Sequence, residues 1–240
     1  MAAEAAAGRA AGTTAAGRPA DGLMPHLLPE DVEVAEAFAD PPHAELFPQE
    51  AEAVARAVDK RRREYTTVRM CARTALGRLG IPPVPILRGP KGEPRWPAGI
   101  VGSMTHCDGY RAAAVARDDR VASLGVDAEP NQPLPDGVLE TVTRPEERPH
   151  LARLAAAHPA TCWDRLLFSA KESVYKTWFP LTGRWLGFEE CVVVPDPDDG
   201  TFTATLTVPG PRVAGREITR FTGRWRTWNG LVATAIAVTG

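Results

Sequence analysis

The 240 residues carry 28 Lys and Arg against 30 Asp and Glu, a formal net charge of −2. That balance excludes wholesale binding to nucleic acid or to an anionic membrane, so any phosphate site has to be built locally. With 44% hydrophobic and 24% charged residues the composition is that of an ordinary globular chain, long enough for one large domain or two small ones.

Residues 1–22 are mostly Ala and Gly with no large apolar residue after Met1; they cannot bury a helix face and are expected to be a disordered tail. From Leu46 to Gly80 the chain reads as two consecutive helical segments. Val68, Cys71, Ala72, Ala75, Leu76 and Leu79 keep helical spacing, and Pro82 and Pro83 enforce the stop. The Pro- and Gly-rich stretch "VPILRGPKGEPRWPAG" predicts a short strand and then a long irregular loop. Strands are expected at "YRAAAVA" and "VASLGVDAE". Residues 130–160 read as a connection around one short helix. Next, Trp163, Leu166, Leu167, Ala170, Val174 and Trp178 form the apolar stripe of a long helix. "CVVVP", "TFTATLTV", "FTGRWRTW" and "LVATAIAV" complete an antiparallel sheet. The recurrence of helix, loop and a Gly-led small apolar strand at Gly109 and Gly230 hints at an internal duplication.

No apolar run reaches the length of a membrane span, and the N-terminus lacks the organisation of a signal peptide. The four cysteines, Cys71, Cys107, Cys162 and Cys191, are scattered and make no C-x-x-C pair. A cytoplasmic chain with free thiols is the expectation. His106-Cys107 is an adjacent pair without further ligands at zinc spacing.

Two stretches carry chemistry. In "GVDAEP" alternate side chains of an extended chain share a face, which places Asp127 beside Glu129. Two neighbouring carboxylates are unfavourable unless solvated, protonated or bridged by a cation. Magnesium, which keeps much of its water and needs one or two carboxylates plus substrate oxygens, suits such a strand end. Acids before Pro130-Asn131 are equally ordinary turn chemistry. In "FSAKESVYK" Glu172 and Lys176 lie four apart on one helix face, where they can meet a common ligand or form a surface ion pair.

Together these stretches resemble the signature of the Sfp-type 4′-phosphopantetheinyl transferases: Leu124-Gly125-Val126-Asp127, with Leu for the family's Val or Ile, and Phe168-Ser169-Ala170-Lys171-Glu172-Ser173-Val174-Tyr175-Lys176. "KRRREYTTVRMCAR", "GPKGEPRWPAGIVGSMTHC" and "WFPLTGRWLGFE" extend the likeness to the enterobactin-type and actinobacterial members over residues 45–240. The resemblance implies an α+β fold of two similar halves related by pseudo-twofold symmetry, placed at residues 23–125 and 126–240, with coenzyme A at their interface. It implies Asp127, Glu129 and Glu172 as ligands of Mg²⁺, with Mn²⁺ as an alternative. It brings Lys171, Lys176 and His106 to the phosphates, and Arg61, Arg69, Arg73 and Lys91 to the 3′-phosphate and adenine side, Arg61 being one choice among Arg61, Arg62 and Arg63.

The implied reaction moves phosphopantetheine from coenzyme A to a serine of an apo acyl or peptidyl carrier protein and releases adenosine 3′,5′-bisphosphate. Glu172 is the candidate base, with Lys171 and Lys176 completing the catalytic set. Partners would be carrier domains of polyketide, nonribosomal peptide, siderophore or fatty-acid synthesis, with Trp178, Phe179 and Trp185 as candidate docking residues or plain core. A monomer is expected. The alternatives are a non-catalytic coenzyme A-binding homologue and a metal-dependent coenzyme A phosphohydrolase.

Overall fold

The computed structural model describes residues 22–240; the predicted tail lies outside the described residues, except for Gly22. After a 3-10 turn at Met24–His26, the first half contains β1 (Glu33–Ala37), α1 (Pro48–Glu52), α2 (Asp59–Arg78), β2 (Ile100–Cys107) and β3 (Tyr110–Arg117). The second contains β4 (Val121–Pro130), α3 (Val138–Val142), α4 (Arg148–Ala157), α5 (Trp163–Thr182), β5 (Cys191–Asp196), β6 (Thr201–Leu206), a small hairpin β7 (Arg212–Val213) and β8 (Arg216–Glu217), β9 (Arg220–Trp228) and β10 (Leu231–Thr239).

The halves repeat one topology. In the first, the strand order is β1-β3-β2; in the second it is β4-β10-β9, extended by β6 and β5. Each has a leading strand, a 20-residue helix and a closing antiparallel hairpin whose second strand pairs with the leading strand. The closing hairpins turn at Asp108-Gly109 and Asn229-Gly230, where φ is positive at Gly109, Asn229 and Gly230, as tight hairpin turns require.

The small-residue strands are explained by burial on both faces. Ala113 and Val115 of β3 pack under α2 with Cys71, Ala72, Ala75 and Leu76. Ala112, Ala114 and Ala116 point the other way into a core shared with Val126 and Ala128 of β4 and Ala233 and Ala235 of β10. Leu23, Met24, Leu27 and Leu28 complete that shared core. A third core forms where Leu166, Leu167, Ala170, Val174 and Trp178 of α5 meet Val193, Phe202, Phe221, Val232 and Ile236.

β4 has a free edge toward the first half, and hydroxyls close it. Ser103 Oγ accepts from Val126 N–H at 3.0 Å and Thr105 Oγ1 accepts from Ala128 N–H at 3.0 Å. On its helix-facing side β4 runs against α5 at Gly125, where an added Cβ would lie 2.0 Å from Ser173 O and 2.2 Å from Thr177 Oγ1.

Several expectations need correction. The division at residue 125 cuts β4, which pairs with β10 along its length, so the structural boundary is the turn at 118–120. No strand forms at "VPIL", because Pro82, Pro83 and Pro85 have no N–H for a ladder; an isolated bridge joins Arg88 and Pro94 instead. The stretch 130–160 holds two helices. The α5 helix runs on through Pro180 to Thr182 and closes at Gly183, whose N–H donates to Phe179 O at 2.8 Å.

Candidate active site

A cleft of about 460 Å³ opens between α2 and β2 of the first half and α5 of the second, roofed by the 88–96 loop. Two helices line it with matching periodicity: Arg61, Tyr65, Val68 and Arg69 on α2, and Glu172, Lys176, Phe179 and Pro180 on α5, each set at i, i+4, i+7 and i+8. β2 contributes His106, and the loop contributes Arg88, Lys91 and Trp96.

The α2 end is cationic. The Arg69 guanidinium lies 3.4 Å from the Tyr65 ring centroid, with Arg88 at 5.9 Å. Burial lowers Arg69 to about 10, with Arg88 and Arg61 adding repulsion. Arg61 Nη1 is in contact with His106 Nε2. Burial, and then the charges of Arg61, Lys176, Arg111 and Arg69, lower His106 to about 4, so the imidazole is neutral at pH 7. A cluster of cations held together in this way is a receptor for a multiply charged anion.

The α5 end combines acids with a lysine. Lys176 Nζ donates to Asp127 Oδ1 at 2.7 Å and to Val126 O at 3.0 Å, and Thr105 Oγ1 donates to Asp127 Oδ1 at 3.3 Å. Asp127 Oδ2 is buried with no hydrogen-bond partner among the described residues. Burial raises Glu172, opposed by Lys176 and assisted by Asp127. Glu129 Oε2 accepts from Arg165 Nη1 at 3.1 Å; burial and then the Asp127 charge raise it to about 7, outweighing Arg165.

Two residues expected at the phosphates are placed elsewhere. Lys171, 3% exposed, gives its Nζ to Glu147 Oε2 and Phe188 O, each at 2.8 Å. Glu147 also accepts from Arg144 N–H and Val193 N–H, each at 2.7 Å, so this ion pair ties α5 to α4 and β5. Arg73 is paired with the fully buried Glu50 at 3.0 and 2.9 Å and with Glu45 O. Glu50 in turn holds Phe47 N–H at 2.9 Å and Ile86 N–H at 2.8 Å. Arg61, Arg69, Lys91, His106, Glu172 and Lys176 do line the cleft. Of the aromatic residues, Trp178 is core, Phe179 lines the cleft, and Trp185 is 73% exposed with its ring 4.9 Å from that of Tyr175. Sequence reasoning missed Tyr65, Arg88, Trp96 and Tyr175. The first shares the i+4 phase of Arg61 and Arg69; a loop without periodicity gave no signal for Arg88 and Trp96.

Paired α+β halves enclose a cationic pocket at one end and a carboxylate-lysine group at the other, an arrangement suited to an enzyme that handles a phosphate-linked group. The chain belongs to the 4′-phosphopantetheinyl transferase superfamily: residues 49–116 match the family's N-terminal domain and residues 123–230 the superfamily domain itself. The break between those matches contains the turn that separates β3 from β4. The chain is 61% identical over 219 residues to the 4′-phosphopantetheinyl transferase Svp of Streptomyces mobaraensis, covering 90% of this chain and 89% of that one. It is 49% identical to PptT of Mycobacterium tuberculosis (90% and 96% covered) and 48% identical to Npt of Nocardia iowensis (90% and 99% covered), both likewise 4′-phosphopantetheinyl transferases. Among the described residues no helix is long and apolar enough to cross a membrane.

Proposed function

We propose that this transferase takes 4′-phosphopantetheine from coenzyme A and attaches it to a serine hydroxyl of an apo acyl or peptidyl carrier protein, with release of adenosine 3′,5′-bisphosphate. The observation that carries this reading is the polarity of the cleft, with Arg61, Arg69, Arg88 and His106 at one end and, at the other, Glu172 and Lys176, the lysine paired with the buried Asp127 behind it. A nucleotide with a phosphomonoester suits the first end. The pyrophosphate suits Lys176, and the pantetheine arm suits the apolar wall of Tyr175, Phe179 and Trp96.

The acids fit a hard divalent cation in part. Among the described residues no three potential ligands are gathered into a cluster, but Asp127 has an orphaned buried oxygen and Glu172 feels its charge. Magnesium completes its shell with water and substrate oxygens, so two carboxylates suffice. Asp127 and Glu172 would hold it, with Glu129 beside them on Arg165. The ion would supply charge neutralisation at the pyrophosphate.

The remaining chemistry belongs to side chains. Glu172 is the candidate acceptor of the serine proton. The serine oxygen forms a bond to the phosphorus that bears pantetheine, and the bridging bond to the nucleotide phosphate breaks. Lys176 balances charge on the departing oxygen, and the arginines keep the nucleotide in place.

Intact-mass spectrometry of apo carrier proteins incubated with this protein, coenzyme A and Mg²⁺ tests the reading. A gain of one phosphopantetheine, absent with Glu172→Ala, is expected. Coenzyme A cleavage without transfer would mark a hydrolase, and binding without turnover a non-catalytic homologue.

A further inference from the structure

Behind the cationic end of the cleft runs a chain of buried charges that the transfer step does not use. Glu64 Oε2 lies 3.9 Å from Arg61 Nη1 and 3.9 Å from His106 Nδ1, and its Oε1 lies 3.7 Å from Arg111 Nη2. Arg111, 5% exposed, donates from Nε and Nη2 to Asp40 at 3.1 and 3.0 Å and from Nη1 to the carbonyls of Cys107 and Tyr110. Thr67 Oγ1 donates to Asp40 at 2.8 Å. Asp40, Arg111 and Glu64 therefore join the segment before α1, strand β3 and helix α2, and the last of them faces both Arg61 and His106.

The contact between Arg61 and His106 suits one tautomer of the neutral ring. A guanidinium has no lone pair to offer, so Nε2 of the imidazole accepts and the ring proton sits on Nδ1, the nitrogen that faces Glu64. Around the ring stand Arg61 and Arg69 from α2, Arg111 from β3 and Lys176 from α5, with Lys60 and Asp108 paired at 3.0 Å beside the hairpin turn. In that company Glu64 is the acid at ion-pair distance from the imidazole.

We propose that Glu64 is a positioning residue for the donor's anionic end: when a phosphate draws Arg61 off the imidazole, His106 takes a proton from solvent onto Nε2 and hydrogen-bonds the phosphate, while Glu64 holds the imidazolium by its Nδ1 edge. This rests on coenzyme A being the donor. The neutral imidazole of the free protein, lowered to about 4, means that the proton arrives with the ligand. Binding and proton uptake are then one event, and Glu64 sets how far it goes.

The test is titration calorimetry of coenzyme A binding to the full chain at pH 6.5, in buffers of differing ionisation enthalpy. His106→Gln serves as the reference, because the ligand phosphate titrates near this pH as well. Relative to that reference the wild type takes up close to one extra proton. Glu64→Gln loses most of that uptake and weakens binding roughly tenfold, the equivalent of one pKa unit; Glu64→Asp restores most of both. The loss falls on KM rather than kcat and grows as pH is lowered from 8 to 6. Glu64→Gln with wild-type proton uptake overturns the proposal. So does a variant that melts normally yet binds less tightly by the same factor at every pH, since that marks a merely structural role. A wild type that binds no coenzyme A would instead overturn the donor assignment.

Discussion

Gly125→Ala adds one methyl group at the point where β4 crosses α5, and its effect can be worked out from the contact. The new Cβ would stand 2.0 Å from Ser173 O, 2.2 Å from Thr177 Oγ1 and 2.9 Å from Thr177 N, against 3.4–4 Å for ordinary contact. Thr177 cannot rotate aside freely, because its hydroxyl already donates to Ser173 O at 2.8 Å; the other two atoms are helix backbone. The strand and helix must separate by about 1 Å or more, and overpacking of this kind costs about 1–3 kcal/mol. Backbone opposition puts it at the upper end. At roughly 2–4 °C per kcal/mol for a chain of this size, Tm should fall by about 6–12 °C. The same displacement moves Asp127, two residues along β4, relative to Lys176, one residue before Thr177, and a shift of about 1 Å in a positioned group can cost on the order of 100-fold in rate. Thermal melting and kcat/KM for carrier modification are the assays. Gly77→Ala is the control, since nothing lies within 4 Å of its Cβ and a helical Gly-to-Ala change stabilises by about 0.5–1 kcal/mol. A Gly125→Ala protein melting within about 2 °C of wild type at full rate would refute the reasoning.

Arg73→Met should lower unfolding stability by about 3 kcal/mol, because it strands the buried Glu50 carboxylate, yet KM for coenzyme A should stay within about twofold; a tenfold rise in KM would return Arg73 to the anion site. Lys171→Met should cost about 3–5 kcal/mol in denaturant unfolding, and pairing it with Glu147→Gln should recover part of that loss. An additive double variant would refute the coupling. Glu129, raised to about 7, is protonated below that pH, and a proton there opposes a nearby cation. Mg²⁺ affinity measured by calorimetry should therefore strengthen from pH 6 to 8, and Glu129→Gln should reduce that dependence while leaving the part due to Glu172.

The two long helices were legible because each buries one continuous stripe, and the double-faced strands because small apolar residues fit both sides. β1 was not. Its sequence, Glu-Val-Ala-Glu-Ala, carries acids, and Glu36 is there to accept Leu23 N–H, Met24 N–H and Tyr110 Oη–H, partners remote in sequence. β2 was hidden for a similar reason, since Ser103 and Thr105 spend their hydroxyls on the edge of β4. In the site, residue types could be read but not their allocation. Lys171 and Lys176 share one motif, and only the position of Glu147, 24 residues earlier, decides which of them leaves the cleft. Arg61, Arg69 and Arg73 follow one another at steps of eight and four on one helix, and Glu50 withdraws the last of them.

The repeat of one topology on both sides of the cleft bears on symmetry. Were the two halves identical subunits of a symmetric pair, α2 and α5 would share a single sequence, and every arginine useful to a nucleotide would reappear beside the acids. Joining the copies in one chain lifts that constraint. In a single chain each helix carries its own set, and the two walls differ accordingly: arginines along one, a glutamate with a lysine along the other.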